Sequence, residues 1–128
     1  MELLSTIFLA ASLQYNLPPK LLDAVCYIES HYDVKAIHHD DGGEDSLGVC
    51  QVKLSTARFL GFTGTQKQLM KPQINAKYAA KYLRYQLTHY DDNTEKAIIS
   101  YNRGNAKGLT RTKYSIKVLK VYWRLNDE

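Results

Sequence analysis

VCYIESHYD, Val25 to Asp33, reads as the end of an apolar helix with one carboxylate, Glu29, where an apolar residue is expected. Glu29 projects from the same side as Leu22 and Val25, because residues four and seven apart share a helix face. A carboxylate on an apolar stripe costs free energy unless it is paired, neutralised or used. Partial desolvation raises the pKa of a Glu and keeps it protonated near neutrality, which is what a general acid in glycoside cleavage requires. Helix geometry alone leaves a second reading open, a helix-terminal Glu that reaches solvent.

The flanks place that helix in a mainly α chain. MELLSTIFLAASLQYN puts Leu3, Leu4, Ile7, Phe8, Ala11 and Tyr15 at helical spacing. With Glu at position 2 in place of a basic n-region, and an apolar run too short to span a bilayer, it reads as a first core helix, not an export signal. Pro18 and Pro19 break the chain, and the second helix is expected from about Pro19 to Ser30. HHDDGGED is a polar loop. GVCQV reads as a short β-like run or an irregular buried segment, with at most a small hairpin near residues 36–52. LSTARFLGF suggests a short helix with Ser55 as cap and Gly61 as stop. After a loop, Pro72 opens a long helix through QINAKYAAKYLRYQLTHY. Asp92 with Glu95 suggests a capping box for a further helix, stopped by Gly104. The last helix, about Thr112 to Leu125, is expected to bury Tyr114, Val118, Val121, Tyr122 and Leu125. Its other side carries Lys113, Lys117, Lys120 and Arg124 as a basic stripe.

A chain of 128 residues with 45% apolar and 23% charged residues matches one ordinary globular domain and argues against disorder. The two cysteines, Cys26 and Cys50, do not make a disulfide framework and read as two small buried hydrophobes. The net charge of +4 is concentrated towards the C-terminus, with no acid between Glu95 and Asp127. That suggests a polyanionic neighbour: nucleic acid, a cell envelope or an acidic protein.

Two further segments join Glu29. In SLGVCQV, Ser46 to Val52, Gly48 permits a tight backbone and Gln51 can offer an amide to a polar ligand. In SYNRGN, Ser100 to Asn105, Tyr101 and Asn102 precede a helix-ending glycine. Together, the Glu29–Ser30 pair, GVCQ at Gly48–Gln51 and SYNRG at Ser100–Gly104 resemble, in order and spacing, the motifs of the soluble lytic transglycosylases. These are bacterial and phage enzymes of goose-lysozyme-like fold that cleave peptidoglycan. YNLPPKLLDAV and KPQINAKYAAKYL also resemble that family, so the likeness covers about residues 3–105 and leaves 106–128 as a basic C-terminal helix. The chain departs from the family pattern at Cys50, where the motif has Met, and at Ser100 and Arg103, where it has Ala.

The resemblance implies a single lysozyme-like domain over residues 1–128. It implies cleavage of the β-1,4 bond between N-acetylmuramic acid and N-acetylglucosamine, with Glu29 as acid and then base, leaving 1,6-anhydro ends. Tyr101 would bond or orient Glu29, and Ser46, Gly48, Val49, Gln51 and Asn102 would line the glycan cleft. Tyr78 and Tyr82 could stack on sugars, although their helical spacing favours core packing. If Asp40, Asp41, Glu44 or Asp45 held a water at the site, the outcome would be a hydrolysing muramidase; a solvated acidic loop is the simpler expectation. His38 and His39 match no standard zinc or calcium spacing, so no metal and no cofactor is expected. A basic helical nucleic-acid-binding domain is the weaker alternative, because the stripe lacks a recognised binding motif. The expected partners are peptidoglycan strands and, through the basic helix, proteins of a phage virion or secretion machine that deliver the enzyme to the cell wall.

Overall fold

The structure is a computed structural model and describes residues 3–39 and 43–127. Seven helices and three short strands occur among them: α1 (Leu4–Gln14), α2 (Leu21–Ser30), β1 (Ile37–His38), β2 (Ser46–Leu47), β3 (Val52–Lys53), α3 (Leu54–Phe59), α4 (Gln66–Leu69), α5 (Pro72–His89), α6 (Thr94–Arg103) and α7 (Lys113–Asn126). This is the mainly α, lysozyme-like architecture that the resemblance implied. Among the described residues no helix is long and apolar enough to cross a membrane.

The core forms around α2, whose Leu21, Leu22, Ala24, Val25 and Cys26 are all fully buried. α1 packs on α2 and α5 through Ile7, Phe8 and Ala11, so the apolar N-terminal run is a core helix. Leu3, expected on that face, is exposed. The double proline sits one step earlier than expected. Pro18 and Pro19 form a turn closed by Leu21 N–H to the Pro18 carbonyl, so α2 starts at Leu21, not Pro19.

Between α2 and α5 the chain makes an antiparallel sheet in the order β1-β2-β3, one strand more than the expected hairpin. His38 pairs with Ser46, and Ser46 pairs with Lys53. α3 follows directly, and its cap position is Lys53; Ser55 lies inside the helix. The free N–H and the hydroxyl of Ser55 are taken up by Glu44, at 2.9 and 2.6 Å. The loop before Pro72 also contains the one-turn helix α4, closed by a Thr65–Gln68 capping box.

At the start of α6 the cap is Asn93, which accepts from Lys96 N–H at 3.0 Å, not Asp92. Asp92 has left-handed backbone and turns to Arg84 at 3.2 Å. Glu95 is likewise drawn away from a capping box. It accepts two bonds from Arg111, both at 3.1 Å, and one from Ser115 at 2.8 Å. Ser115 also closes a capping box with Thr112. α7 is thereby anchored at its first turn and packs against α2 and α6. Val118 and Val121 are buried as expected. Tyr114, Tyr122 and Leu125 are half-buried, and Lys113, Lys117, Lys120 and Arg124 are exposed along one side.

The cysteines are not free thiols: Cys26 and Cys50 form a disulfide. Burial, on which the opposite expectation rested, is common to both states, and the fold brings the Cα atoms to 4.3 Å. A bridge closing a separation of 24 residues contributes about 3 kcal/mol. It fastens the β2–β3 connection to α2. The fully buried Asn75 of α5 fastens the same segment from the other side. Its Oδ1 accepts from Cys50 N–H at 2.8 Å, and its amide donates to the carbonyls of Leu47 at 2.8 Å and Leu69 at 3.0 Å. Gly48 has φ +79°, and a Cβ there would lie 2.5 Å from the Asn75 amide nitrogen, so no larger residue fits beside it.

Asn75→Ala leaves three buried backbone groups unpaired. At about 1 kcal/mol or more for each, the loss of stability is expected at about 3 kcal/mol, read from the denaturant midpoint at unchanged slope.

Candidate functional site

The β2–β3 connection, the end of α2 and the end of α6 meet at a cleft of about 630 Å³. Glu29 lies in its wall, on the last turn of α2. His31 ends the helix in left-handed backbone. This frees the Ser30 hydroxyl to donate to the Val49 carbonyl at 2.7 Å, which ties the turn after Glu29 to the β2–β3 connection.

Glu29 Oε2 accepts a hydrogen bond of 2.5 Å from the hydroxyl of Tyr114, on the first turn of α7. The expectation for Tyr101 is therefore corrected. Tyr101 lines the cleft as a buried ring, but its hydroxyl donates to the Cys50 carbonyl at 2.6 Å. It holds the wall; Tyr114 holds the acid. The helix pattern of the sequence places Tyr114 in the core, and nothing in residues 106–128 carries a motif to mark it.

Burial raises the Glu29 pKa from 4.5 to about 7, and the Tyr114 bond, which favours the charged form, offsets part of that rise. Both tyrosine hydroxyls are held well above their ordinary value, first by burial and then by the nearby Glu29 charge, so both stay donors. A carboxyl poised at about 7 can both give and take a proton near neutrality.

Of the other expected lining residues, Ser46, Gln51 and Asn102 do face the cleft. Gln51 adopts φ +55° and spends its amide donors on the carbonyls of Gly48 at 2.9 Å and Ala36 at 3.2 Å. Gly48 and Val49 are set back from the cleft. Gly48 packs on Asn75, and the fully buried Val49 offers only its carbonyl, to Ser30. The sequence reading left out Thr56, Lys53 and Arg103, which also line the cleft. Tyr82 lines it too, its ring 5.3 Å from that of Tyr101, whereas Tyr78 packs on Phe62 at 5.1 Å.

Among the described residues Glu29 is the sole carboxylate in the lining. Glu44 is bound to Ser55, and Asp45 pairs with His39 at 2.9 Å. Asp40 and Asp41 lie outside the described residues. Among the described residues no three His, Cys, Asp or Glu side chains gather as a metal site.

Glu29, alone as a carboxylate in the cleft lining among the described residues, sits beside a small sheet on a helical body, the arrangement that a lysozyme-like domain has. Residues 6–120 match the family model of the transglycosylase SLT domain, and the chain belongs to that family. It is 28% identical over 119 residues to Protein IpgF of Shigella flexneri, covering 90% of this chain and 78% of that protein. Protein IpgF of Shigella sonnei matches to the same extent. The fold is similar to that of an inactive mutant of the lytic transglycosylase Slt from Pseudomonas aeruginosa, with a TM-score of 0.75 at 20% identity. The likeness covers 94% of this chain but only 24% of that one. These relatives are bacterial, and the expected phage or virion origin gains no support from them.

Two outcomes are expected at Glu29. The folded protein keeps this proton up to about pH 7, whereas the unfolded chain releases it near 4.5. The contribution of the group to stability is full below 4.5 and falls as pH rises towards 7, by up to about 3 kcal/mol. Glu29→Gln is neutral throughout, so its melting temperature should gain on the wild type across that range. Tyr114→Phe removes a bond to the charged form, so the Glu29 pKa rises further. In a pH titration of Glu29 followed by NMR, its midpoint should move to higher pH.

Proposed function

We propose that this protein is a peptidoglycan lytic transglycosylase with Glu29 as its only catalytic carboxylate. The observation that carries the reading is the Tyr114-held Glu29, with its pKa raised to about 7, in a cleft whose lining has no other carboxylate among the described residues. Membership of the SLT domain family supports the substrate, and the Pseudomonas enzyme is an inactive mutant in which a glutamate has become glutamine.

Protonated Glu29 gives its proton to the glycosidic oxygen as the bond to the muramic acid anomeric carbon breaks. The substrate's acetamido carbonyl stabilises that carbon, so no second protein carboxylate is needed. Glu29, now charged, takes the proton of the muramic acid 6-hydroxyl while that oxygen bonds to the anomeric carbon. The product is a 1,6-anhydro end, and the acid is regenerated. Tyr114 holds Glu29 in place through both steps. Ser46, Gln51 and Asn102 contact the glycan, and the exposed basic side of α7 docks the enzyme on the machinery that brings it to the wall.

Among the described residues the cleft lining carries the cationic side chains of Lys53 and Arg103 beside Glu29, and such charges suit a strand bearing carboxylates. The KM for peptidoglycan should therefore rise with salt as these charges are screened.

Glu29→Gln should cut the rate of glycan cleavage by about 10³-fold or more, the scale of a general acid–base contribution. Mass spectrometry of wild-type digests should show anhydro ends. Reducing ends formed with water would instead make the enzyme a muramidase, and full activity in Glu29→Gln would sink the assignment of Glu29.

A further inference from the structure

Tyr114 gives its bond to Glu29 from the first turn of α7, where a helix is least secure. The first N–H groups of a helix have no partner inside it, and its ends fray unless other groups hold them. α7 is also entered from a loop, residues 104–112, most of which are exposed. Its buried apolar residues, Val118, Leu119 and Val121, begin one turn further on and hold the body of the helix. The turn that carries Tyr114 is held by Glu95, on the first turn of α6. Glu95 accepts two bonds from Arg111, which precedes the helix, and one from the fully buried Ser115, directly after Tyr114. One carboxylate therefore clamps the chain on both sides of the tyrosine. The Arg111 hydrogen bonds keep the Glu95 pKa below its ordinary value, so the clamp is charged wherever Glu29 titrates.

We propose that Glu95 is a positioning residue for the reaction: through Arg111 and Ser115 it fixes the first turn of α7, and so keeps Tyr114 bonded to Glu29 and packed against it. The inference rests on the role of Glu29 as the acid, proposed above. Glu95 does not line the cleft and acts only through α7. Freeing the turn has two opposed effects on Glu29. Loss of the Tyr114 bond raises its pKa, and entry of water lowers it. Burial is the larger cause of the present shift, so water decides and the pKa falls. Glu29 is then protonated less often at neutrality, where the first step needs its proton.

The test compares the wild type with Glu95→Ala and Glu95→Gln, thermal melts showing that each is folded. His38, His39, Lys53, Tyr82, Tyr101 and Arg103 also line the cleft, and a rate profile alone mixes their titration with that of the acid. The Glu29 midpoint is therefore read directly, by NMR of its side-chain carboxyl carbon. In Glu95→Ala it should fall by about one pH unit, which takes the protonated fraction at pH 7 from about a half to about a tenth. The kcat at pH 7 should then drop about fivefold, with KM little changed. The ratio of variant to wild-type kcat should return towards one as the pH is lowered to about 5, where both acids are protonated. Glu95→Gln still accepts from Ser115 and Arg111 and should recover most of the shift. If Glu95→Ala does not fold, Arg111→Ala removes half of the clamp from an exposed position and should give the same shift in smaller measure. A midpoint that stays at about 7 in the folded variants overturns the role, as does a loss of kcat that acid does not reverse, which is what a merely structural residue would give. The midpoint is measured without substrate, so a failure of Glu95 is told apart from a failure of Glu29, which full activity in Glu29→Gln would reveal.

Discussion

The segment Gly48–Gln51 is the constraint on which the site depends. It is irregular backbone, and irregular buried backbone must find its hydrogen bonds outside any ladder. Here three helices supply them. α2 reaches it through the Cys26–Cys50 disulfide and the Ser30 hydroxyl. α5 reaches it through the Asn75 amide, and α6 through the Tyr101 hydroxyl. Four fastenings, three on Cys50 and one on Val49, turn the connection into a rigid wall. That wall fixes the width of the cleft in front of Glu29. The aromatic and amide groups nearest the acid are thus mostly occupied with each other's backbone, which is how a polar site is kept in register.

Glu29 shows the cost of this arrangement. The burial that lifts its pKa also makes the ionised form a liability for the fold. The disulfide and the Asn75 bonds stabilise the region that must tolerate it. Stability is concentrated around a residue that works against it, as expected where function and folding place opposite demands on a side chain.

Much of this was legible in the sequence, for local reasons. The order of the helices followed from proline, glycine and apolar spacing, and Glu29 stood out because a single acid interrupts an apolar face. Ser46, Gln51, Asn102 and the C-terminal stop at Gly104 could be read because short motifs keep their residues close together. What escaped notice was non-local. Tyr114 meets Glu29 across 85 positions, and no helical pattern separates a tyrosine that packs from one that also donates a bond. Asn75 looked like one polar residue in a long helix, although it holds three backbone groups. The cap expectations at Ser55 and Asp92 failed because Glu44 and Arg84, distant or on another element, competed for those groups. Cys26 and Cys50 could not be paired without knowing that the chain folds back between them.

The contact between α2 and α7 has a consequence in time. The ribosome completes α2 long before it reaches Tyr114, and a pairing across such a separation must wait for loop closure. Until α7 docks, Glu29 lacks both its hydrogen-bond donor and the part of its cover that α7 lays on α2. The acid is thus finished last, by the same event that completes the core. Losing α7 to a protease would take that donor and that cover away from Glu29 again.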